Sequence, residues 1–333
     1  MAILDIRNLT IELNTSQGRV KAVERVNLTL TEGEIQGLVG ESGSGKSLVA
    51  KAILGIKKDG WVVRADRMRL GDIDLLTLTP SERRRLMAND IAMIFQEPSS
   101  HLDPTQEIAE QIEEAIPSNT FEGGFWQRFQ WRKKRAVTLL HKVGIKDPIS
   151  VLRSYPHELS EGVCQKIMIA MAIAKKPRLL IADEPTTAME STTQIQILKL
   201  LHKLNKVNNT SILFISHDIE SVSNLSDTLT VMYCGQTVES GTRDQVINHP
   251  RHPYTNALLK AVPDFESNLA HKSHLYALPG SIPPLQHLPI GCRLGPRCPN
   301  AQKTCVQKPH STRVKGHMFN CHFPLSIEDE TSS

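Results

Sequence analysis

The chain has 333 residues, more than one typical domain, with 40% hydrophobic residues, 22% charged residues and a formal net charge of +4. This composition predicts a soluble globular protein, because no stretch approaches the roughly 18 apolar residues of a membrane span. The small, mixed charge gives no support to a nucleic-acid surface. We find no secretory signal, and therefore expect a cytosolic location and six cysteines that form no structural disulfides.

The first predicted elements are short alternating strands, separated by turns at 16–18 and 32–33, that form an antiparallel β cap. They cover 3–6, 10–13, 26–30 and 35–39. The last of them leads into the segment Gly40-Glu41-Ser42-Gly43-Ser44-Gly45-Lys46-Ser47, and a helix-like stretch follows.

This segment fits the phosphate-binding pattern Gly-x-x-x-x-Gly-Lys-Ser. Glycines without Cβ let backbone N–H groups converge on phosphate oxygens, and the following helix adds its positive end. Lys46 offers a charge to the β- and γ-phosphates, and Ser47 offers a hydroxyl to Mg²⁺. The pattern predicts a nucleoside triphosphate site rather than a flexible Gly/Ser turn with a stray lysine.

A helical pattern runs from 81 to about 153, which predicts a helical insertion. Strands return at 179–182, 211–215 and 229–232, with a helix over 193–204, so we predict a parallel sheet and an α/β fold. The first of these strands ends in Asp183 and Glu184, a pair suited to orient Mg²⁺ and to polarise the attacking water, respectively.

Gln96 and His217 also follow predicted strands, and the ordered set resembles the ATP-binding cassette ATPases over about 3–245. The resemblance implies the P-loop NTPase fold and ATP as the nucleotide. It assigns Gln96 to a loop that joins Mg²⁺ and water to the transporter, and His217 to the γ-phosphate. The expected Mg²⁺ ligands are Ser47, Gln96 and Asp183.

The stretch 155–166 resembles the family's signature motif, in which Ser160 and Gly162 face ATP bound by the opposite subunit. Glu161 stands where the family has a glycine. A carboxylate about 5 Å from the γ-phosphate would cost roughly 3 kcal/mol at an effective dielectric near 20. If Glu161 points inward, we expect a heterodimer with one good and one weakened hydrolytic site.

Two further positions depart from the family. Ala188-Met189-Glu190 stands in place of Ala-Leu-Asp, and Gln17 occupies the position where many cassettes carry an aromatic residue for adenine. Without an aromatic residue at position 17, we expect some loss of selectivity for the adenine base.

Beyond the cassette, 248–259 and 278–283 resemble the C-terminal extension of oligopeptide and dipeptide importer ATPases. Other stretches resemble a peptide-transport ATPase associated with antimicrobial-peptide resistance. We expect four parts. They are a nucleotide-binding core with a β subdomain (1–98), a helical subdomain (99–165), a second core segment (166–247) and an importer-type extension (248–333).

Four late cysteines, Cys292, Cys298, Cys305 and Cys321, resemble the importer tail whose cysteines hold a [4Fe–4S] cluster. Zinc is an alternative, although structural zinc sites favour closer spacing, and unligated thiols are another. The aromatic and basic run over 125–135 predicts a solvated helix face whose aromatic side chains pack inward. A groove for nucleic acid or anionic lipid and a contact for the membrane subunit are the alternatives.

The resemblance implies an ATPase at the cytoplasmic face of the bacterial inner membrane. Its expected partners are a second ATPase, two permease subunits and, indirectly, a periplasmic substrate-binding protein, with no nucleic acid. The rival functions are a non-catalytic ATP-binding regulatory subunit of the same complex, and a soluble cassette ATPase of DNA repair or translation.

Overall fold

The computed structural model describes residues 1–16, 18–117, 121, 124–187, 189–262 and 278–325. Internal contacts divide the chain into two compact units. The first consists of Met1–Leu78 with Phe214–Ser333, and the second is Thr79–Leu213. The four-part division expected from the sequence stays a prediction.

Regular elements make up most of the described residues of both units. The described strands are β1 (Ala2–Thr15), β2 (Gly18–Thr31), β3 (Ile35–Val39), β4 (Trp61–Arg64), β5 (Arg67–Leu70), β6 (Ile73–Asp74), β7 (Ile91–Ile94), β8 (Leu179–Asp183), β9 (Ser211–Ser216), β10 (Thr228–Tyr233), β11 (Gln236–Thr242), β12 (Thr312–Val314) and β13 (His317–Phe319). The described helices are α1 (Lys46–Leu54), α2 (Pro80–Asn89), α3 (Pro98–His101), α4 (Ile108–Ala115), α5 (Phe125–Lys142), α6 (Pro148–Leu152), α7 (Glu161–Ile173), α8 (Ser191–Asn208), α9 (Ile219–Leu225), α10 (Arg243–Asn248) and α11 (Pro253–Lys260).

The first unit contains the predicted antiparallel cap, in which β1 pairs with β2, β4 and β5. The prediction of separate strands at 3–6 and 10–13 was wrong, because β1 runs through both. Asn8 and Arg25 take positive φ values of 53°, and the register between β1 and β2 shifts between Ile6 and Leu9. Bulges of this kind absorb an irregularity without ending the strand.

A second sheet region of the first unit holds β3, which pairs in parallel with β10. Every residue of β3 is buried, as a strand covered on both faces requires. The C-terminal extension continues this region, since β13 pairs antiparallel with β11 and β12 pairs antiparallel with β13.

The second unit holds the predicted helical insertion and the parallel pair β7 and β8. Helix α2 begins with a capping box: Glu82 N–H donates to Thr79 Oγ1, and Thr79 N–H donates to Glu82 Oε2. Helix α5 contains the aromatic and basic run. Phe129 on this helix is 54% exposed, and Lys133 Nζ lies 5.2 Å from its ring centroid, so the helix has a solvated face but this aromatic side chain does not pack inward as expected. Among the described residues of both units, no helix is long and apolar enough to cross a membrane.

Candidate nucleotide-binding site

The phosphate-binding loop connects the buried strand β3 to helix α1 in the first unit. A Cβ at Gly40 would lie 2.1 Å from the backbone oxygen of Met232, so only glycine fits. Gly45 is the N-cap of α1 at a φ of 98°, a conformation that glycine adopts readily. The loop therefore has the backbone that the pattern predicted, with the N-terminus of α1 directly after it.

Lys46 is 3% exposed and curls back over the loop. Its Nζ donates to Gly40 O at 2.7 Å, Glu41 O at 3.1 Å and Ser44 Oγ at 3.5 Å. These acceptors are neutral oxygens, for which phosphate oxygens are natural replacements. A buried ammonium at the start of a helix, behind a glycine loop, fits a polyphosphate ligand. Ser47 is half-buried in the first turn of α1.

His217 belongs to the same unit and follows β9 directly. Its side chain is exposed. The next residue, Asp218, caps α9 by accepting the N–H groups of Glu220 at 3.0 Å and Ser221 at 3.2 Å. This cap fixes the backbone beside His217.

The second unit brings together Gln96 and Glu184. Gln96 Nε2 donates to Glu184 Oε2 at 3.4 Å, and Thr187 Oγ1 donates to the same oxygen at 3.0 Å. Glu184 is 9% exposed and has a φ of 49°, which is rare for a residue with a side chain. Such strain is concentrated at functional sites. Asp183, the last residue of β8, is 4% exposed.

The signature stretch surrounds the N-terminus of α7, with Ser160 as the N-cap. A Cβ at Gly162 would lie 2.7 Å from Thr193 Cγ2 of α8, which explains a glycine at this position. Glu161 is half-buried, and its Oε1 accepts a hydrogen bond from Ser99 Oγ at 3.3 Å. The carboxylate thus has a partner within its own unit. The predicted residues Gln17 and Ala188 lie outside the described residues.

The phosphate loop has two contacts that sequence reasoning missed. Tyr254 of α11 and Arg297 of the extension both bond to Glu41, the second residue of the loop. They lie 213 and 256 positions away along the chain, so no local pattern could have identified them.

The four late cysteines do not support the predicted [4Fe–4S] cluster. Burial raises the pKa of Cys321 to about 11, and Cys292, Cys298 and Cys305 lie within electrostatic range of it. Electrostatic range is wider than a coordination sphere, however. No group of three or more His, Cys, Asp or Glu in the described part of the chain is placed to hold a metal ion. We therefore derive no chemistry from a cluster or from zinc.

Family models match two parts of the chain. The ABC transporter model matches residues 23–187, and the model of the oligopeptide/dipeptide transporter C-terminal region matches residues 238–305.

Curated relatives and solved structures agree with these matches. The chain is 59% identical to the peptide transport system ATP-binding protein SapD of Escherichia coli O6:H1, over 99% of this chain and all of that protein. It is 42% identical to the dipeptide transport ATP-binding protein DppD of Escherichia coli K12, over 98% of each chain. A solved post-hydrolysis dimer of the ATP-binding cassette MJ0796, bound to ADP and phosphate, is 25% identical, with a TM-score of 0.62 over 72% of this chain and 98% of that one.

Proposed function

Since this chain belongs to the ABC transporter family of ATPases, we propose that it hydrolyses ATP to power a SapD-like peptide transport system. The observation that carries the proposal is the glycine-lined loop with the buried Lys46 at the start of α1. The full-length likeness to SapD supports the peptide as cargo. The likeness to DppD supports the importer type, with membrane permease subunits as partners at the cytoplasmic face of the inner membrane.

In this proposal the chain's own residues divide the work. The loop N–H groups and Lys46 bind the β- and γ-phosphates. Glu184 polarises the attacking water, Gln96 orients it, and His217 contacts the γ-phosphate. When bound, Mg²⁺ neutralises phosphate charge, and its proposed protein ligands are Ser47, Gln96 and Asp183.

The partner is proposed to be a second, different ATPase, which completes this chain's site with its own signature motif. In return, Ser160 and Gly162 face the nucleotide of the partner. Glu161 supports unequal sites, because a carboxylate in the signature repels phosphate. Its hydrogen bond to Ser99 supports a weakened site rather than a dead one, since the carboxylate already has a partner elsewhere.

The proposal is tested by ATP turnover of the complex reconstituted with its partner ATPase and permease. We expect Glu184→Gln to lower turnover by about 100-fold or more, because a positioned general base contributes about that much. The matched control is Glu220→Gln, on the exposed side of α9, which should leave turnover unchanged.

Two outcomes would replace the proposal. Turnover that survives Glu184→Gln would make this subunit regulatory, with hydrolysis confined to the partner. Failure of the wild-type chain to sediment with membranes that contain the permease would favour a soluble cassette ATPase of DNA repair or translation.

A further inference from the structure

The C-terminal extension contacts the phosphate loop at Glu41. The Glu41 N–H donates to the hydroxyl of Tyr254 at 2.8 Å. Its carboxylate accepts a bidentate pair of hydrogen bonds from Arg297, from Nη1 to Oε2 at 3.0 Å and from Nη2 to Oε1 at 3.3 Å. Bidentate pairs of this kind fix the relative orientation of the two side chains in addition to pairing their charges.

Arg297 is also held in place by hydrogen bonds to residues other than Glu41. Its Nε donates to Pro279 O at 2.9 Å, and Nη1 also donates to the Tyr233 hydroxyl at 3.2 Å. The guanidinium carbon lies 5.7 Å from the centroid of the Tyr233 ring. The Arg297 side chain is 9% exposed, and that of Glu41 is 29% exposed. The arginine is therefore the fixed member of the pair, and Glu41 takes its position from it.

Glu41 also carries the carbonyl that accepts a hydrogen bond from Lys46 Nζ, at 3.1 Å. The three polar groups of this residue thus bond to three different places. The N–H bonds to α11, the carboxylate bonds to the 3₁₀ turn at Gly295–Arg297, and the carbonyl bonds to the phosphate-binding lysine. When a triphosphate arrives, Lys46 must exchange loop carbonyls for phosphate oxygens, and a loop held in place loses less entropy in that exchange.

We propose that Arg297 and Tyr254 are positioning residues for the nucleotide: the extension clamps Glu41 and so preorganises the phosphate loop and neutralises its one carboxylate. This inference rests on the proposed function, because it assigns a role toward the same ATP site. Neither residue touches the reacting atoms. Their effect is on the affinity for the triphosphate.

The test is equilibrium binding of ATP with Mg²⁺ to the full chain, together with thermal unfolding of each variant. Arg297→Lys keeps the charge but loses the two-pronged geometry, since an ammonium is a point charge. We expect it to weaken ATP binding about 10-fold, which corresponds to about 1.4 kcal/mol. Tyr254→Phe keeps the ring and loses only the hydroxyl, and we expect a loss of about threefold, a fraction of one hydrogen bond.

Arg251→Lys is the matched control. Arg251 also makes a hydrogen bond within the extension, from its Nη1 to Leu325 O at 2.8 Å, but this bond does not involve the phosphate loop. We expect ATP affinity within twofold of the wild type. In the reconstituted complex, Arg297→Lys should raise KM for ATP about 10-fold and change kcat by less than twofold, a split that general loosening would not produce.

Either of two results would overturn the inference. One is an ATP affinity of Arg297→Lys within twofold of the wild type. If that variant does not fold, an unchanged ATP affinity of Tyr254→Phe would equally overturn the inference. The other is an equal loss of affinity in Arg251→Lys. In both cases a wild-type chain that binds ATP leaves the proposed function intact, whereas a wild-type chain that does not bind ATP refutes both.

Discussion

Acid should destabilise this protein through one buried histidine, His252, which caps α11. Its Nδ1 accepts the N–H of Tyr254 at 3.2 Å, and the residue is 1% exposed. Burial lowers the pKa of His252 to about 4, and the nearby Glu239 carboxylate only partly opposes this shift. Glu239 itself is fully buried and bonds to His317 Nε2 at 2.7 Å and to the backbone N–H of Arg251 at 2.7 Å. Protonation of His252 at Nδ1 would remove the acceptor for the Tyr254 N–H and place a positive charge in a buried position, beside a carboxylate that already accepts hydrogen bonds from His317 and Arg251.

The sign and size of this pH effect on the free energy of unfolding follow from the pKa of His252 in the unfolded and folded chains. Below the ordinary value of 6.5 the unfolded chain binds a proton at this residue, whereas the folded chain binds it only near pH 4. The contribution of neutral His252 to the free energy of unfolding is therefore fully present above pH 6.5. It is lost as the pH falls toward 4, by about 1.4 kcal/mol per pH unit. Between pH 7.5 and pH 5 the expected loss of unfolding free energy from His252 is about 2 kcal/mol.

The assay is urea unfolding of the wild type and of His252→Asn at both pH values. Asparagine is a good N-cap and keeps an acceptor for the Tyr254 N–H, but it does not titrate. Other titrating groups contribute equally to both proteins, so the difference between the two pH effects isolates His252. We expect the wild type to lose about 2 kcal/mol more than the variant. Equal losses in both proteins would refute the assignment of a buried, neutral His252.

Two further predictions concern Gly37 and Glu161. A Cβ at Gly37 would lie 2.1 Å from Val222 Cγ1, so Gly37→Ala should lower the urea-unfolding free energy by about 1–3 kcal/mol. The control Gly295→Ala, which has nothing within 4 Å of an added Cβ, should not lower it, and equal stability of the two variants would contradict the tight packing of β3 on α9. Glu161→Gly should leave ATP turnover of the reconstituted complex unchanged or raise it, and a fall in turnover would show that the carboxylate assists the site.

The phosphate loop could be predicted from the sequence because its chemistry is local. Seven peptide units between a buried strand and a helix set the path of the backbone. Gly40 falls where a Cβ would not fit, and Gly45 falls where the backbone needs a positive φ. The pairing of Gln96 with Glu184 was less accessible: the order of the motifs predicted both residues, but only the fold brings their side chains to 3.4 Å.

The differences between the predictions and the structure have physical causes. The sequence predicted two separate strands at 3–6 and 10–13, but a bulge lets β1 continue through Asn8, which lies between them. The [4Fe–4S] cluster was expected from the resemblance of the late cysteines to the importer tail, and the described residues do not support it, because metal coordination depends on side-chain direction as well as on residue type. The contacts of Tyr254 and Arg297 with Glu41 depend on how the extension returns to the loop, and a single sequence carries no signal for such long-range pairs.

Two interactions bear on the orientation proposed for the Glu161 side chain. The sequence identifies a carboxylate in a signature motif, where repulsion by a phosphate about 5 Å away would cost roughly 3 kcal/mol. The structure gives that carboxylate a half-exposed hydrogen bond to Ser99, which is worth no more than about 1 kcal/mol. The bond alone is too weak to fix the side chain, but it acts in the same direction as the repulsion. Both terms favour a carboxylate turned toward α3 when ATP is bound, so the composite site should be weakened by less than the full repulsion.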